Sequence, residues 1–517
     1  MADTPSIKTI GIVGAGTMGA GIALACLYAD YQVILQDPFP EVLEKASDYI
    51  KKFLDKKEQG GKFKHLTLTE KLEDMAPTQV VIEAALEQLE LKVDVFSRLD
   101  EICPPPAILA TNTSTLSVTQ VAAATQHPGR VAGMHFFNPA PVLPLVEVVQ
   151  AAQSSDETIQ TLKELAEALG KVPVVTGDTP GFIVNRVARP FYAEALRLLG
   201  EGVASHNYID MIVERGGGFR MGPYKLMDLI GIDINAGAMR SMYEQTHGEP
   251  RYRPHPLQMQ KLQEGALGRK TGRGFYDYAE AIDEPKVRER KPAGGAGPLV
   301  ISEGSWAPGL ENLAYQAGYT VSSVPDPEEP PAACFVVAGR AEEAPSLLSW
   351  YDQSLPPHVP IIAQCADMAL SEMAAWVQHP ERVIGFDGLF LGNGDVATLV
   401  LTPAFNDDLI PAVELAIRSL GREAVWIAEG PAAVLPRIVA QLVNEAAFAV
   451  LEGVADAETV DTAMKLGVNY PQGPLEWGLQ LGYDKVLTVL EHLYAEYREE
   501  RYRPCVLLRR WARQAAS

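Results

Sequence analysis

Two residues able to move a proton stand twelve positions apart in a stretch that is otherwise apolar. They are His135 in GMHFFNP and Glu147 in PLVEVV, inside the segment HPGRVAGMHFFNPAPVLPLVEVV that runs from 127 to 149. An imidazole titrates near neutral pH, so it can accept and return a proton, and a neighbouring carboxylate fixes its tautomer and stabilises its charged form. A carboxylate set among Leu145, Val146, Val148 and Val149 needs a charged or hydrogen-bonding partner. Alternation and β-branched residues on either side of Pro139, Pro141 and Pro144 predict two strands joined by a proline-rich turn, which brings the two side chains together. A buried histidine satisfied by a core carboxylate is the alternative, and the elements around the pair decide between the two.

The segment IKTIGIVGAGTMGAGIALACLYADYQVILQD, residues 7–37, predicts strand, glycine loop, helix and strand. In Gly14-Ala15-Gly16-Thr17-Met18-Gly19 the first glycine permits a tight turn, the second lets the backbone approach a diphosphate, and the third lets helix and strand pack closely. The helix start then offers free N–H groups and the positive end of a dipole to the phosphates. Asp37 ends the second strand. A carboxylate there accepts a ribose 2′-hydroxyl and repels a 2′-phosphate, so NAD is the expected cofactor. A strand over 79–84, a helix through Val93 to Leu99 and a strand over 107–116 follow. Thr111, Asn112, Thr113 and Ser114 fall at the C-terminal end of that last strand, where open α/β sheets bind ligands and where such residues also cap helices.

A dinucleotide fold that carries a His–Glu pair predicts hydride transfer to or from a carbon bearing a hydroxyl. His135 takes the hydroxyl proton, Glu147 orients it, and Ser114 or Asn185 steadies the oxygen. A lysine-rich stretch, with Lys51, Lys52, Lys56, Lys57, Lys62 and Lys64, lies within residues 41–71. It reads either as a solvated helical face or as a cationic arm for the phosphates of a carrier such as coenzyme A. The whole chain, by contrast, has a net charge of −22, which argues against nucleic acid or an anionic membrane as partner. Five scattered cysteines without a CxxC or His/Cys cluster indicate neither a disulfide framework nor a metal site. No apolar window is long enough for a membrane span and no targeting segment is evident, so a cytoplasmic location is expected.

Gly14-x-Gly16-x-x-Gly19, NTSTL (112–116), HFFNP (135–139), LVEVV, DTPGFIVNR (178–186) and GRKTGRGFY (268–276) together resemble the L-3-hydroxyacyl-CoA dehydrogenase family, including 3-hydroxybutyryl-CoA dehydrogenases, over residues 6–278. The resemblance implies an NAD-dependent oxidation of a 3-hydroxyacyl-CoA to a 3-oxoacyl-CoA in fatty-acid or related metabolism. It implies His135 and Glu147 as the catalytic dyad, and Ser114 and Asn185 as hydrogen-bonding partners of the substrate oxygen. It also implies contacts of Glu87, Lys92, Asn138 and Lys270, beside Asp37, with NAD. The coenzyme A contacts do not transfer residue by residue. A nucleotide-binding regulatory protein and a reductase of free hydroxy acids stand as alternatives, since fold does not fix function.

The second half repeats the first in worn form. TQHPGRVAG at 125–133 recurs as VQHPERVIG at 377–385, an offset of 252, and the start of the copy, near residue 301, aligns at an offset near 288. The difference between the offsets means that the copy lacks roughly the lysine-rich stretch. At these offsets Gly14 faces Ser302, Gly19 faces Ala307, Ser114 faces Ala366, His135 faces Asp387, Glu147 faces Leu399 and Asn185 faces Pro436, so the chemistry is lost. The expected architecture is α/β: a Rossmann-type NAD-binding domain over 1–185, a helical domain over 186–285, a linker over 286–298, a degenerate Rossmann-like domain over 299–430 and a second helical domain over 431–517. The two helical segments are expected to pack together within one chain as an internal pseudo-dimer, with a homodimer as the alternative.

Overall fold

The computed structural model describes residues 7–279, 294, 295 and 297–515. Its contacts form two compact units: one holds the chain up to Val187 together with Ala449–Asn469, and the other holds Ala188–Phe448 and the chain from Tyr470. Most of the linker expected over 286–298, including half of its Pro/Gly-rich part 291–298, lies outside the described residues.

In the first unit the strands are β1 (Thr9–Val13), β2 (Gln32–Gln36), β3 (Leu66–Thr69), β4 (Val80–Glu83), β5 (Ile108–Thr111), β6 (Val131–Phe136), β7 (Leu145–Gln150) and β8 (Val172–Gly177). They form one sheet in the order β3-β2-β1-β4-β5-β6-β7-β8, parallel except where β7 runs against β6. The order reverses between β1 and β4, and such a reversal opens a crevice beyond the carboxyl ends of the strands. The helix Thr17–Tyr28 follows the glycine loop and is buried along nearly its whole length, as its uniformly small and apolar residues require. The strand expected over 107–116 stops at Thr111, because the polar run from Asn112 folds into a loop whose Ser117 caps the helix Val118–Ala123. After β8 the chain forms two short helices instead of one long one. Gly181 and Phe182 take left-handed backbone angles, and the helices Val184–Val187 and Arg189–Gly200 follow separately.

The second unit holds β9 (Pro298–Ile301), β10 (Thr320–Ser322), β11 (Cys334–Val336), β12 (Ile361–Gln364), β13 (Val383–Phe386), β14 (Val396–Leu401) and β15 (Glu423–Ala428). Their order, β10-β9-β11-β12-β13-β14-β15, repeats the first sheet without the strand that the lysine-rich stretch supplies. The repeated HPxR motif has a mechanical reason. Buried Arg130 binds Asp100 Oδ1 through Nε (3.0 Å) and the Pro104 carbonyl through Nη1 (2.7 Å). Arg382 binds Asp352 Oδ1 (2.9 Å) and the Pro356 carbonyl (2.7 Å) in the same way.

Strand register corrects two of the expected correspondences. Gly133 pairs with Val149 in the first sheet and Gly385 with Val400 in the second, so the counterpart of Glu147 is Thr398 rather than Leu399. The turn between these strands is one residue shorter in the copy, which shifts every later position. Likewise Gly11 pairs with Val81 and Val300 with Cys334, which sets Ser302 at the place of Val13 rather than of Gly14. Asp387, at the place of His135, is fully enclosed, and burial pushes its carboxyl up to about 7 despite N–H groups donated by Phe390 and Leu389.

Within the second unit the helical segments pack on each other through a buried ionic network. Arg437 reaches Glu194 (2.8 Å) and Glu201 (2.7 Å), Tyr502 donates to Glu194 (2.9 Å) and Tyr252 to Glu445 (2.6 Å). The pairs Tyr252–Glu445 and Tyr502–Glu194 are reciprocal under the repeat, the signature of a self-complementary interface. Phe191, Phe219, Tyr470 and Trp477 form an aromatic cluster in the same unit.

Candidate active site

The proton-transferring pair is assembled by strand register. His135 on β6 and Glu147 on β7 are direct cross-strand partners, so their side chains leave the same face of the sheet. His135 Nδ1 lies 2.7 Å from Glu147 Oε2. A carboxylate only accepts, so the Nδ1 proton belongs to this bond and the lone pair of the ring is at Nε2. The other carboxylate oxygen, Oε1, accepts the N–H groups of Ile183 (3.0 Å) and Val184 (2.9 Å). Glu147 is completely buried and its charge is met on both oxygens, which fixes the plane of its carboxylate. The rings of Phe137 and Phe182 flank the imidazole at 4.5 and 5.8 Å between centroids.

Asn185, Ser114 and Glu87 gather with the polar loop after β5. Asn112 Oδ1 accepts the N–H of Phe136 (2.8 Å), which ties the loop after β5 to the end of β6. Asn185 follows Val184 directly and its amide reaches the Ser114 carbonyl (3.4 Å). Glu87 closes on this loop, its Oε1 accepting Thr113 Oγ1 (2.6 Å) and the N–H of Ser114 (2.9 Å). Burial opposes the charge on Glu87, but Lys92 and these donors outweigh it and hold its carboxyl below the usual range.

Lys92 is not a surface cation. Its Nζ is buried between Glu83 Oε1 (2.7 Å) and Glu87 (3.3 Å), and Glu83 also accepts Thr111 Oγ1 (2.7 Å) and the N–H of Ala85 (2.7 Å). Sequence reasoning missed Glu83, although its signal was the one that exposed Glu147: a carboxylate inside the apolar strand QVVIEA. Asp178, in DTPGFIVNR, was missed as well, and it anchors the helix Val118–Ala123 by accepting the N–H groups of Val118 (3.1 Å) and Thr119 (2.7 Å). Asn138 is exposed on the turn after β6. Lys270 belongs to the second unit, where its Nζ pairs with Asp233 at 2.6 Å.

The glycine loop fits a dinucleotide residue by residue. Gly14 has φ +95°, and a Cβ there would meet the Ala84 carbonyl oxygen at 2.7 Å. A Cβ on Gly19 would stand 1.8 Å from the Gly14 carbonyl oxygen, so only glycine lets the helix approach the strand. Around Gly16 the space is open, and the helix it begins has no side-chain cap, which leaves the N–H groups of Thr17 and Met18 in position for an anion. Asp37 Oδ2 accepts the N–H of Ala15 (2.9 Å), so the carboxylate expected to read the ribose is held against the loop expected to read the diphosphate.

A sheet with this reversal and glycine loop, carrying a His–Glu pair at the carboxyl ends of its later strands, defines a nicotinamide-dependent dehydrogenase. The sequence profile of the "3-hydroxyacyl-CoA dehydrogenase, NAD binding domain" matches residues 9–179, and that of the "3-hydroxyacyl-CoA dehydrogenase, C-terminal domain" matches residues 181–278 and again 434–516. The chain belongs to the 3-hydroxyacyl-CoA dehydrogenase family. It is 36% identical over 516 residues, 98% of each chain, to the 3-hydroxyadipyl-CoA dehydrogenase of Escherichia coli K12. The crystal structure of a 3-hydroxybutyryl-CoA dehydrogenase from E. coli K12 covers 99% of both chains with a TM-score of 0.79 at 34% identity. A probable 3-hydroxybutyryl-CoA dehydrogenase of Bacillus subtilis is 41% identical over 283 residues, 98% of its length but 53% of this chain. Tandem and half-length forms of the enzyme thus coexist, and this chain is of the tandem kind.

Proposed function

We propose that the first unit oxidises an L-3-hydroxyacyl-CoA to the 3-oxoacyl-CoA, with His135 as the base and Glu147 as the carboxylate that orients it. The observation that carries this reading is the 2.7 Å bond from His135 Nδ1 to a carboxylate clamped by two backbone N–H groups. NAD, when bound, supplies the acceptor for the hydride that leaves C3. His135 Nε2 removes the proton of the 3-hydroxyl, and Glu147 stabilises the imidazolium that forms. Ser114 and Asn185 donate to the same oxygen, lowering the cost of charge as the O–H bond breaks. In the reverse direction the imidazolium returns the proton. Gly14, Gly16, Thr17, Met18, Gly19 and Asp37 hold the dinucleotide, with Glu87, Lys92 and Asn138 assigned to the cofactor through the family motifs. Because Lys92 is buried against Glu83 and Glu87, it acts by holding Glu87 and the loop at 113–115 in place.

The full-length likeness to an enzyme named for 3-hydroxyadipyl-CoA makes a six-carbon thioester with a terminal carboxylate the first substrate to test, beside 3-hydroxybutyryl-CoA. We assign the Rossmann-type domain to 1–185, the helical domain to 186–285, the degenerate Rossmann-like domain to 299–430 and the second helical domain to 431–517. The reciprocal contacts of the two helical segments support an internal pseudo-dimer with one site. No helix among the described residues is long and apolar enough to cross a membrane, and a cytoplasmic enzyme fits this. The test is His135→Gln assayed with 3-hydroxyacyl-CoAs of different length and terminal charge. The expected result is loss of most turnover with NAD affinity nearly unchanged, and full activity in the variant refutes the assignment of the base.

A further inference from the structure

The compact units do not follow the repeat. Residues 449–469, which belong by sequence to the worn copy, pack with the first unit, the one that carries the His–Glu pair. The helix Ala457–Val468 lies on β7, on β8 and on the short helix Val184–Val187. Three contacts attach residues 449–469 to the elements that hold Glu147. Gly467 sits so close that a Cβ there would stand 2.8 Å from Leu145 Cδ2 and 3.0 Å from Val184 Cγ2. Glu452 Oε2 accepts from Arg186 Nη2 at 2.7 Å. The carbonyl of Val454 accepts the N–H of Gly177, at the end of β8, at 3.1 Å. Leu145 is two residues before Glu147 on β7, and Val184 is one of the two residues whose N–H groups grip its carboxylate.

We infer that the copy, though stripped of its own chemistry, serves the live site: Glu452, Val454 and Gly467 are positioning residues that press the 183–184 backbone against Glu147 and so set the orientation of His135. The inference rests on the proposed role of Glu147 and extends it to residues more than 300 positions away in the chain. The repeat supplies an internal comparison. In the second unit, Gly216 stands in the same relation to β14 and the second helical segment: a Cβ there would meet Leu435 Cδ1 at 2.9 Å and Val396 Cγ2 at 3.2 Å. That contact abuts strand β14, where Thr398 replaces the glutamate, so disturbing it perturbs equivalent packing with no reacting group behind it.

The experiment compares Gly467→Ala with Gly216→Ala in the full-length chain, reading kcat, KM for 3-hydroxybutyryl-CoA, the pH profile of kcat/KM, NAD affinity and melting temperature. The two substitutions are expected to lower the melting temperature alike. Gly467→Ala alone should lower kcat about tenfold or more, as misplacement of reacting groups by a fraction of an ångström does, and shift the acid limb of the pH profile by half a unit or more. KM and NAD affinity should move less than threefold. Equal kcat and an unshifted profile in the two variants overturn the inference. If Gly467→Ala does not fold, Glu452→Gln decides: a threefold or greater loss of kcat with a shifted profile supports the positioning role, and wild-type kinetics overturn it. Glu147→Gln, measured in parallel, separates the two readings. Full activity in that variant removes the dyad itself, whereas its loss beside an unaffected Gly467→Ala removes only the contribution of the copy.

Discussion

Glu147→Gln is the sharpest probe of the dyad, because it changes neither size nor shape. Glu147 accepts on both oxygens: from His135 Nδ1 at 2.7 Å on one side and from the N–H groups of Ile183 and Val184 on the other. A glutamine has one accepting oxygen and one donating NH2 group, so it can satisfy only one side. If its oxygen stays with the backbone, the NH2 faces His135 Nδ1. The ring must then accept at Nδ1 and carry its proton on Nε2, the atom that has to receive the substrate proton. If the amide turns over, the tautomer is kept but two buried N–H groups lose their acceptor, at a cost of about 1–3 kcal/mol each. The first arrangement costs less and removes the base. The expected loss in kcat is that of general-base catalysis, roughly 10²- to 10⁴-fold, or about 3–5 kcal/mol on the barrier. The assay is NADH formation at saturating thioester together with a single-turnover measurement, with NAD binding and denaturant melts run alongside. A folded Glu147→Gln protein that keeps a third or more of wild-type kcat, with an unaltered pH profile, refutes the dyad.

Three further perturbations test other parts of the structure. Asp37→Ser removes the carboxylate expected to face the ribose, so the kcat/KM ratio of NADP to NAD should rise at least tenfold, and an unchanged ratio rejects Asp37 as the specificity residue. Arg130→Met and Arg382→Met break equivalent buried ion pairs in the two halves; each should destabilise its own sheet by about 3–5 kcal/mol in urea, and a strong effect in one half only means that the halves do not share this device. Asp387 has a raised folded-state pKa of about 7 against an ordinary value of 3.8. The folded chain therefore holds its proton more tightly than the unfolded chain, and stability from this group is full below pH 4 and declines as pH rises towards 7, by up to about 1.4 kcal/mol per pH unit. Asp387→Asn should flatten that part of the stability–pH curve, which equilibrium unfolding at several pH values measures.

The residues of the sequence already named the glycine loop, the aspartate that ends the second strand, the His–Glu pair and the duplication. These are local facts: Gly14 and Gly19 are required by the backbone angles and approaches of their own turn, and a carboxylate within an apolar strand announces a partner wherever that partner lies. The missing lysine-rich stretch was legible too, as a change of offset, and it reappears as one strand fewer in the second sheet. Tertiary structure alone decided the rest. That Glu147 is clamped by backbone 36 residues away, that Lys92 turns inward to Glu83, that Thr398 and not Leu399 stands in the glutamate's place, and that 449–469 packs with the first unit all depend on loop lengths and on which buried charges find each other. A local pattern states that a group must be satisfied, and only the packed chain states by what.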